Sequence, residues 1–123
     1  MLIFLAESDQ NLRVGLQLLL LHEPGLHVVG MAVQADGLLS QVKATQPEVL
    51  LLDWRLPGAS IQDLLADIQG LASPPKIVVL SVNPEDKTAA FASGADGFVS
   101  KSEPPDELLE EVRLLQKEID ETS

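Results

Sequence analysis

The strongest constraint on the fold is a repeated alternation: short apolar or β-branched runs of strand length, each followed by a segment whose apolar residues recur at helical spacing. Leu2 to Ala6 is the first such run. Gln10 to His22 follows, with apolar residues at 12, 16, 19 and 20, and Pro24-Gly25 ends it. His27 to Val33 is short and β-branched. Ala35 to Gln46 then places Leu38, Leu39 and Val42 on one face and stops before Pro47. Val49 to Leu52 is uniformly apolar, as a strand covered on both faces must be, and Asp53 breaks the run at its end.

The alternation continues to the end of the chain. A loop from Arg55 to Ala59, with Pro57-Gly58, leads to a predicted helix near Ser60 to Ala72 that turns Ile61, Leu64, Leu65 and Ile68 inward and is closed by Pro74-Pro75. Lys76 to Leu80 is the next buried strand. Asn83-Pro84-Glu85-Asp86 reads as an N-cap, a first-turn proline and first-turn acids, and Gly94 stands where a left-handed C-cap belongs. Gly97 to Ser100 is a short last strand. Pro104-Pro105-Asp106-Glu107 opens a final helix striped by Leu108, Leu109, Val112, Leu115 and Ile119. Strands separated by helices form a mainly parallel sheet. We therefore expect one α/β domain over residues 1–123, without linker, repeat or low-complexity tract.

Charge excludes several functions. Eight Lys and Arg against 19 Asp and Glu give a formal charge of −11, which repels phosphate backbones and anionic lipid, so we expect no direct nucleic-acid binding and no membrane association. The chain has no cysteine, hence no disulfide or thiolate metal site, in keeping with a reducing cytoplasm. Met1 to Glu7 lacks a basic leader and reads as a strand. Leu18 to Leu21 is far too short to span a bilayer and reads as the buried end of a helix.

In open parallel sheets the working site lies beyond the carboxyl ends of the strands. Strands one, three, four and five end in Glu7-Ser8-Asp9, Asp53, Ser81 and Lys101. Acids, a hydroxyl and an ammonium meeting at one edge suit phosphate. A carboxylate accepts a phosphoryl group as an acyl phosphate when a divalent cation, held by oxygen ligands, neutralises the crowded charge. Lys101 and Ser81 would then meet phosphoryl oxygens, contacts that exist only in the modified state and so bias it selectively.

At this point the sequence resembles the receiver domain of two-component response regulators, the NarL/FixJ branch in particular, along essentially its whole length. The resemblance rests on residues 5–13 (Leu-Ala-Glu-Ser-Asp-Gln-Asn-Leu-Arg), 49–58 (Val-Leu-Leu-Leu-Asp-Trp-Arg-Leu-Pro-Gly), 79–82 (Val-Leu-Ser-Val) and 94–108, which opens Gly-Ala-Asp-Gly-Phe-Val-Ser-Lys. It implies a flavodoxin-like, doubly wound five-stranded parallel sheet in strand order 2-1-3-4-5. Asp53 would be the phosphoacceptor, Ser81 the switch hydroxyl, Lys101 the phosphate-binding lysine and Phe98 the switch aromatic. Magnesium (Mg2+) would be held by Glu7, the residue at position 8, here Ser8, Asp53 and the backbone carbonyl of Arg55, with Asp9 a further candidate that does or does not make up for Ser8. Implied partners are a histidine kinase or phosphotransfer protein and an output partner that docks on the fourth helix, last strand and final helix. A homodimer is left open. Such a protein is a switch and not a turnover enzyme, and the family's DNA-binding output domain would begin after the last helix.

The sequence departs from the family pattern at two places. The usual acidic pair falls on Glu7 and Ser8, so a hydroxyl stands where a carboxylate normally binds metal, and Asp9 is one residue beyond it. Ser60-Ile61 replaces a frequent Asp-Gly. Ser8 motivates the alternative, a pseudo-receiver that binds partners without phosphorylation. A flavodoxin-like enzyme is a weaker reading, since no Gly-rich loop follows the first strand. His22 and His27 read as surface residues, Trp54 as a loop residue beside the site, and Glu107, Glu110, Glu111 and Glu118 as a solvated helix face.

Overall fold

The apolar runs at 2–6, 49–53 and 76–81 become strands that their neighbours cover on both faces, while the run at 27–32 becomes a partly exposed edge strand. The computed structural model describes residues 1–122, with side chains through Glu121. The elements are β1 (Leu2–Ala6), α1 (Gln10–Leu21), β2 (His27–Ala32), α2 (Leu38–Thr45), β3 (Val49–Asp53), α3 (Ile61–Gln69), β4 (Lys76–Ser81), α4 (Asp86–Ala92), β5 (Gly97–Ser100) and α5 (Pro105–Thr122). The strands are parallel and ordered β2-β1-β3-β4-β5. This is the doubly wound fold expected from the sequence. Ser123 lies outside the described residues.

Alternation along the pleat sorts the core into two layers. Phe4, Leu50, Leu52, Ile77 and Val79 face Leu38 and Val42 of α2, Leu64, Leu65 and Ile68 of α3, and Ala90 of α4. Ile3, Leu5, Leu51, Val78, Leu80 and Val99 face Leu16 and Leu20 of α1 and Leu108, Val112 and Leu115 of α5. The chain winds in opposite directions from β1 and β3, so a crevice opens beyond their carboxyl ends.

Several element ends differ from expectation. α2 starts at Leu38, behind Gly37 at φ 78°, and α3 stops at Gln69, before Ala72. Asn83 does not cap α4: Asp86 and Lys87 donate backbone N–H groups to the carbonyls of Asn83 and Pro84, forming a turn, and the helix starts two residues later behind Glu85. Gly94 adopts the expected left-handed conformation at φ 102°. The leucine run is only partly buried, since four consecutive helical residues at about 100° each encircle most of the helix. Leu20 is fully buried, while Leu18 and Leu21 are 52% and 71% exposed. Among the described residues, no helix is long and apolar enough to cross a membrane.

Candidate functional site

The register of the sheet sets the site. Ala6 of β1 pairs with Leu52 of β3, so Glu7 and Asp53 leave neighbouring strands side by side. Ser81 pairs with Ser100, which brings Lys101 just past the same edge. Glu7, Asp53 and Lys101 share sequence parity with Leu5, Leu51 and Val99 of one core layer, and their side chains meet. The Lys101 ammonium donates to Asp53 Oδ1 at 3.0 Å and to Glu7 Oε2 at 3.1 Å. Glu7 is fully buried and Asp53 is 2% exposed, so a single ammonium is shared by two acids that water scarcely reaches.

Asp53 is held at both oxygens. Oδ1 also accepts the Arg55 backbone N–H at 3.0 Å, and Oδ2 accepts the Ser8 hydroxyl at 2.6 Å and the Ser8 N–H at 3.3 Å. Burial alone would raise its pKa. The Ser8, Arg55 and Lys101 hydrogen bonds overcome burial and hold the carboxyl below the usual aspartate range, hence ionised. Glu7 shifts the other way: burial raises its pKa, with the Asp53 charge adding to the effect, against the Asp9 N–H and Lys101. For Lys101, burial favours the neutral amine but the two carboxylates prevail and raise its pKa.

The missing acid at position 8 is not replaced by its neighbour. Asp9 turns to cap α1, with Oδ1 accepting from Asn11 N at 2.9 Å and from Leu12 N at 3.2 Å, while its own N–H bonds Glu7 Oε2 at 3.0 Å. Asp9 does not compensate in this arrangement, because its carboxylate satisfies helix donors that would otherwise be unpaired. Among the described residues, no three acidic, histidine or cysteine side chains gather as a metal site. The oxygen donors that remain still suit a hard cation. Glu7 Oε1 is buried without a hydrogen-bond partner, 3.0 Å from the Lys101 ammonium, beside the Asp53 carboxylate.

Ser81 and Phe98 belong to the other layer. Ser81 is 2% exposed and shares parity with Ile77 and Val79; its hydroxyl donates to Asp86 Oδ2 at 2.7 Å and accepts the Asn83 N–H at 3.2 Å. Asp86 is the site neighbour that sequence reasoning treated only as a first-turn acid. Its position five residues after Ser81, at a helix start, is the one signal that pointed to it. Phe98 pairs with Val79, two ladder positions from Ser81, and is half-buried against the core layer that contains Ala90 of α4. Trp54 follows Asp53 but is buried in that same layer, on the far side of the sheet from the acids, so it is a core residue in a turn. His22 and His27 are exposed, as expected.

Fold and site together define a doubly wound, flavodoxin-like α/β domain with an acid and lysine cluster at its topological switch point. The family model for the response regulator receiver domain matches residues 3–113, and the chain belongs to that family. It is similar to the nitrate/nitrite response regulator protein NarL of Escherichia coli (strain K12), with 31% identity over 109 residues, 87% of this chain and 50% of NarL. It is also similar to the response regulator GacA of Pseudomonas aeruginosa, with 33% identity over 115 residues, 90% of this chain and 53% of GacA. The chain thus spans about half the length of these relatives. Among solved structures, the signal receiver domain of the putative response regulator NarL from Mycobacterium tuberculosis superposes with a TM-score of 0.84 at 26% identity, covering 94% of this chain and 95% of that one. A LuxR-family two-component response regulator from Aurantimonas sp. SI85-9A1 gives 0.85 at 26% identity, covering 94% and 85%.

Proposed function

We propose that the chain is a phosphoacceptor switch that takes a phosphoryl group onto Asp53 from a histidine kinase or phosphotransfer protein, in the cytoplasmic setting usual for the family. The observation that carries this reading is an ionised, almost fully buried Asp53 bonded at 3.0 Å to Lys101 in the crevice of the sheet. In the transfer, an Asp53 carboxylate oxygen attacks phosphorus and a new P–O bond forms. The P–N bond of the donor phosphohistidine breaks, and its electron pair stays on the imidazole nitrogen. Lys101 is already placed to meet the charge that arrives on the phosphoryl oxygens. When bound, magnesium supplies neutralisation of crowded oxygen charge; Glu7, Asp53 and the Arg55 carbonyl would hold it, with Ser8 offering a neutral oxygen only.

The modified state is read by a partner on the surface of α4, β5 and α5, where half-buried Phe98 and Ser81 of the adjoining strand connect the site to the exterior. The protein is a switch, and its output requires that partner. The Ser8 hydrogen bond to Asp53 favours a second reading, a pseudo-receiver whose aspartate stays closed. One experiment decides between them. Incubation with a small phosphodonor and magnesium, followed by intact-mass measurement, should add a single phosphoryl group to the wild type and none to Asp53→Asn. An unmodified wild-type mass, under conditions that label a control receiver, selects the pseudo-receiver.

A further inference from the structure

Ser81 can give its hydroxyl proton to only one acceptor, and in this structure that acceptor is Asp86. The bond is short and charge-assisted, and the hydroxyl is nearly sealed from water. The main chain around it is fixed as well. The Ser81 carbonyl accepts the Lys101 N–H at 2.7 Å, and the Asn83 N–H closes onto the hydroxyl oxygen. The direction of the hydroxyl is therefore set by one side-chain rotation, and the group that sets it stands in the first turn of α4.

We propose that Asp86 is a positioning residue for the switch, holding the Ser81 hydroxyl in its resting direction in competition with a phosphoryl group on Asp53. The proposal rests on the reading of Asp53 as phosphoacceptor. When the Ser81 hydroxyl donates instead to a phosphoryl oxygen, the Asp86 carboxylate loses its donor, and the helix start that carries Asp86 loses its side-chain tie to β4. Glu85, the residue ahead of α4, makes no side-chain cap bond that would hold this helix start in place of Asp86. Pro84 and Lys87 of this segment line the same surface recess as Phe98, so release of Asp86 changes the face on which an output partner would dock.

The competition is measured with beryllofluoride as phosphoryl mimic at saturating magnesium, followed by fluorine NMR and calorimetry on the full chain. Asp86→Ala should bind roughly tenfold more tightly than wild type, since a hydrogen bond to a charged group no longer has to be exchanged. Asp86→Asn, which keeps the shape and weakens the acceptor, should fall between them and provides the test if the alanine variant folds poorly. In a Ser81→Ala background the Asp86 substitutions should change affinity less than twofold, an expectation of the order that additivity allows. A merely structural role of Asp86 would act equally in both backgrounds, and that result overturns the proposal. So does unchanged or weaker binding in folded Asp86 variants when the wild type binds. No binding by the wild type or any variant overturns the phosphoacceptor reading itself, and the competition falls with it.

Discussion

Ser8 shows how one side chain redistributes charge in a buried site. A carboxylate there would make a third negative group beside Glu7 and Asp53, whereas the hydroxyl instead donates a proton to Asp53 Oδ2 at 2.6 Å. At roughly 4 Å in a surface-like dielectric, one charge toward a cation is worth about 4 kcal/mol before desolvation is subtracted. Ser8→Asp should therefore bind magnesium at least about tenfold more tightly by calorimetry. It should also melt lower than wild type in chelator, because the added acid has no partner there, and recover when magnesium binds the folded state. Equal affinities in the two proteins would show that position 8 does not limit the site. The convergence of Glu7, Asp53 and Lys101 was legible because apolar runs mark where strands end and parity marks which side chains share a layer. The direction of Asp9 was not. An acid after a strand and before a helix has two uses, cation ligand or N-cap, and only the position of the Asn11 and Leu12 N–H groups decides between them.

Among the secondary-structure elements, strands were legible and helix ends were less so. A strand covered on both faces leaves an apolar run that little else produces, while a helix end depends on which local hydrogen bond wins. At Asn83 the tight turn through Asp86 displaced the expected cap. α5 carries a further element-level consequence. Its acids read as a solvated face, yet Glu111 is only half-exposed: its carboxylate lies over Gly97 of β5, 2.9 Å from where a Cβ would stand. Burial raises the Glu111 pKa; Lys87 opposes the shift, and Glu107, Glu110 and Glu118 add to it. A carboxyl whose pKa is raised on folding disfavours the folded state wherever it is ionised there. That penalty is full above the folded pKa and fades as pH falls toward the unfolded value of about 4.3. Glu111→Gln should therefore raise the melting temperature at neutral pH, with the gain vanishing near the unfolded value. A gain of equal size at both pH values would assign the effect to packing and not to charge.

The whole molecule is an anion, and half of its eight Lys and Arg residues are tied to acids or a carbonyl. Lys101 is locked between Glu7 and Asp53, and Arg13 donates to the Glu7 carbonyl at 3.0 Å. Arg113 pairs with Glu23 at 3.1 Å, and Lys76 lies 3.9 Å from Asp96. Lys43, Arg55, Lys87 and Lys117 remain, placed on α2, the loop after β3, α4 and α5, too dispersed to form a basic stripe against a −11 field. Nucleic-acid affinity derives mostly from phosphate contacts by clustered Lys and Arg, each adding about 0.9 to the salt slope on B-form DNA. We therefore expect a labelled duplex to show no saturable anisotropy change with this chain at physiological salt. Any weak signal at low salt should be independent of sequence and disappear as salt rises. Phosphorylation adds further negative charge and should move the result in the same direction, which separates this expectation from one in which modification unmasks a DNA surface. Saturable, sequence-selective binding by the isolated chain, in either state, would refute it. The same field bears on the proposed phosphodonor partner. A net charge of −11 favours a donor whose docking face is basic, and the association rate with such a donor should fall as salt screens the attraction.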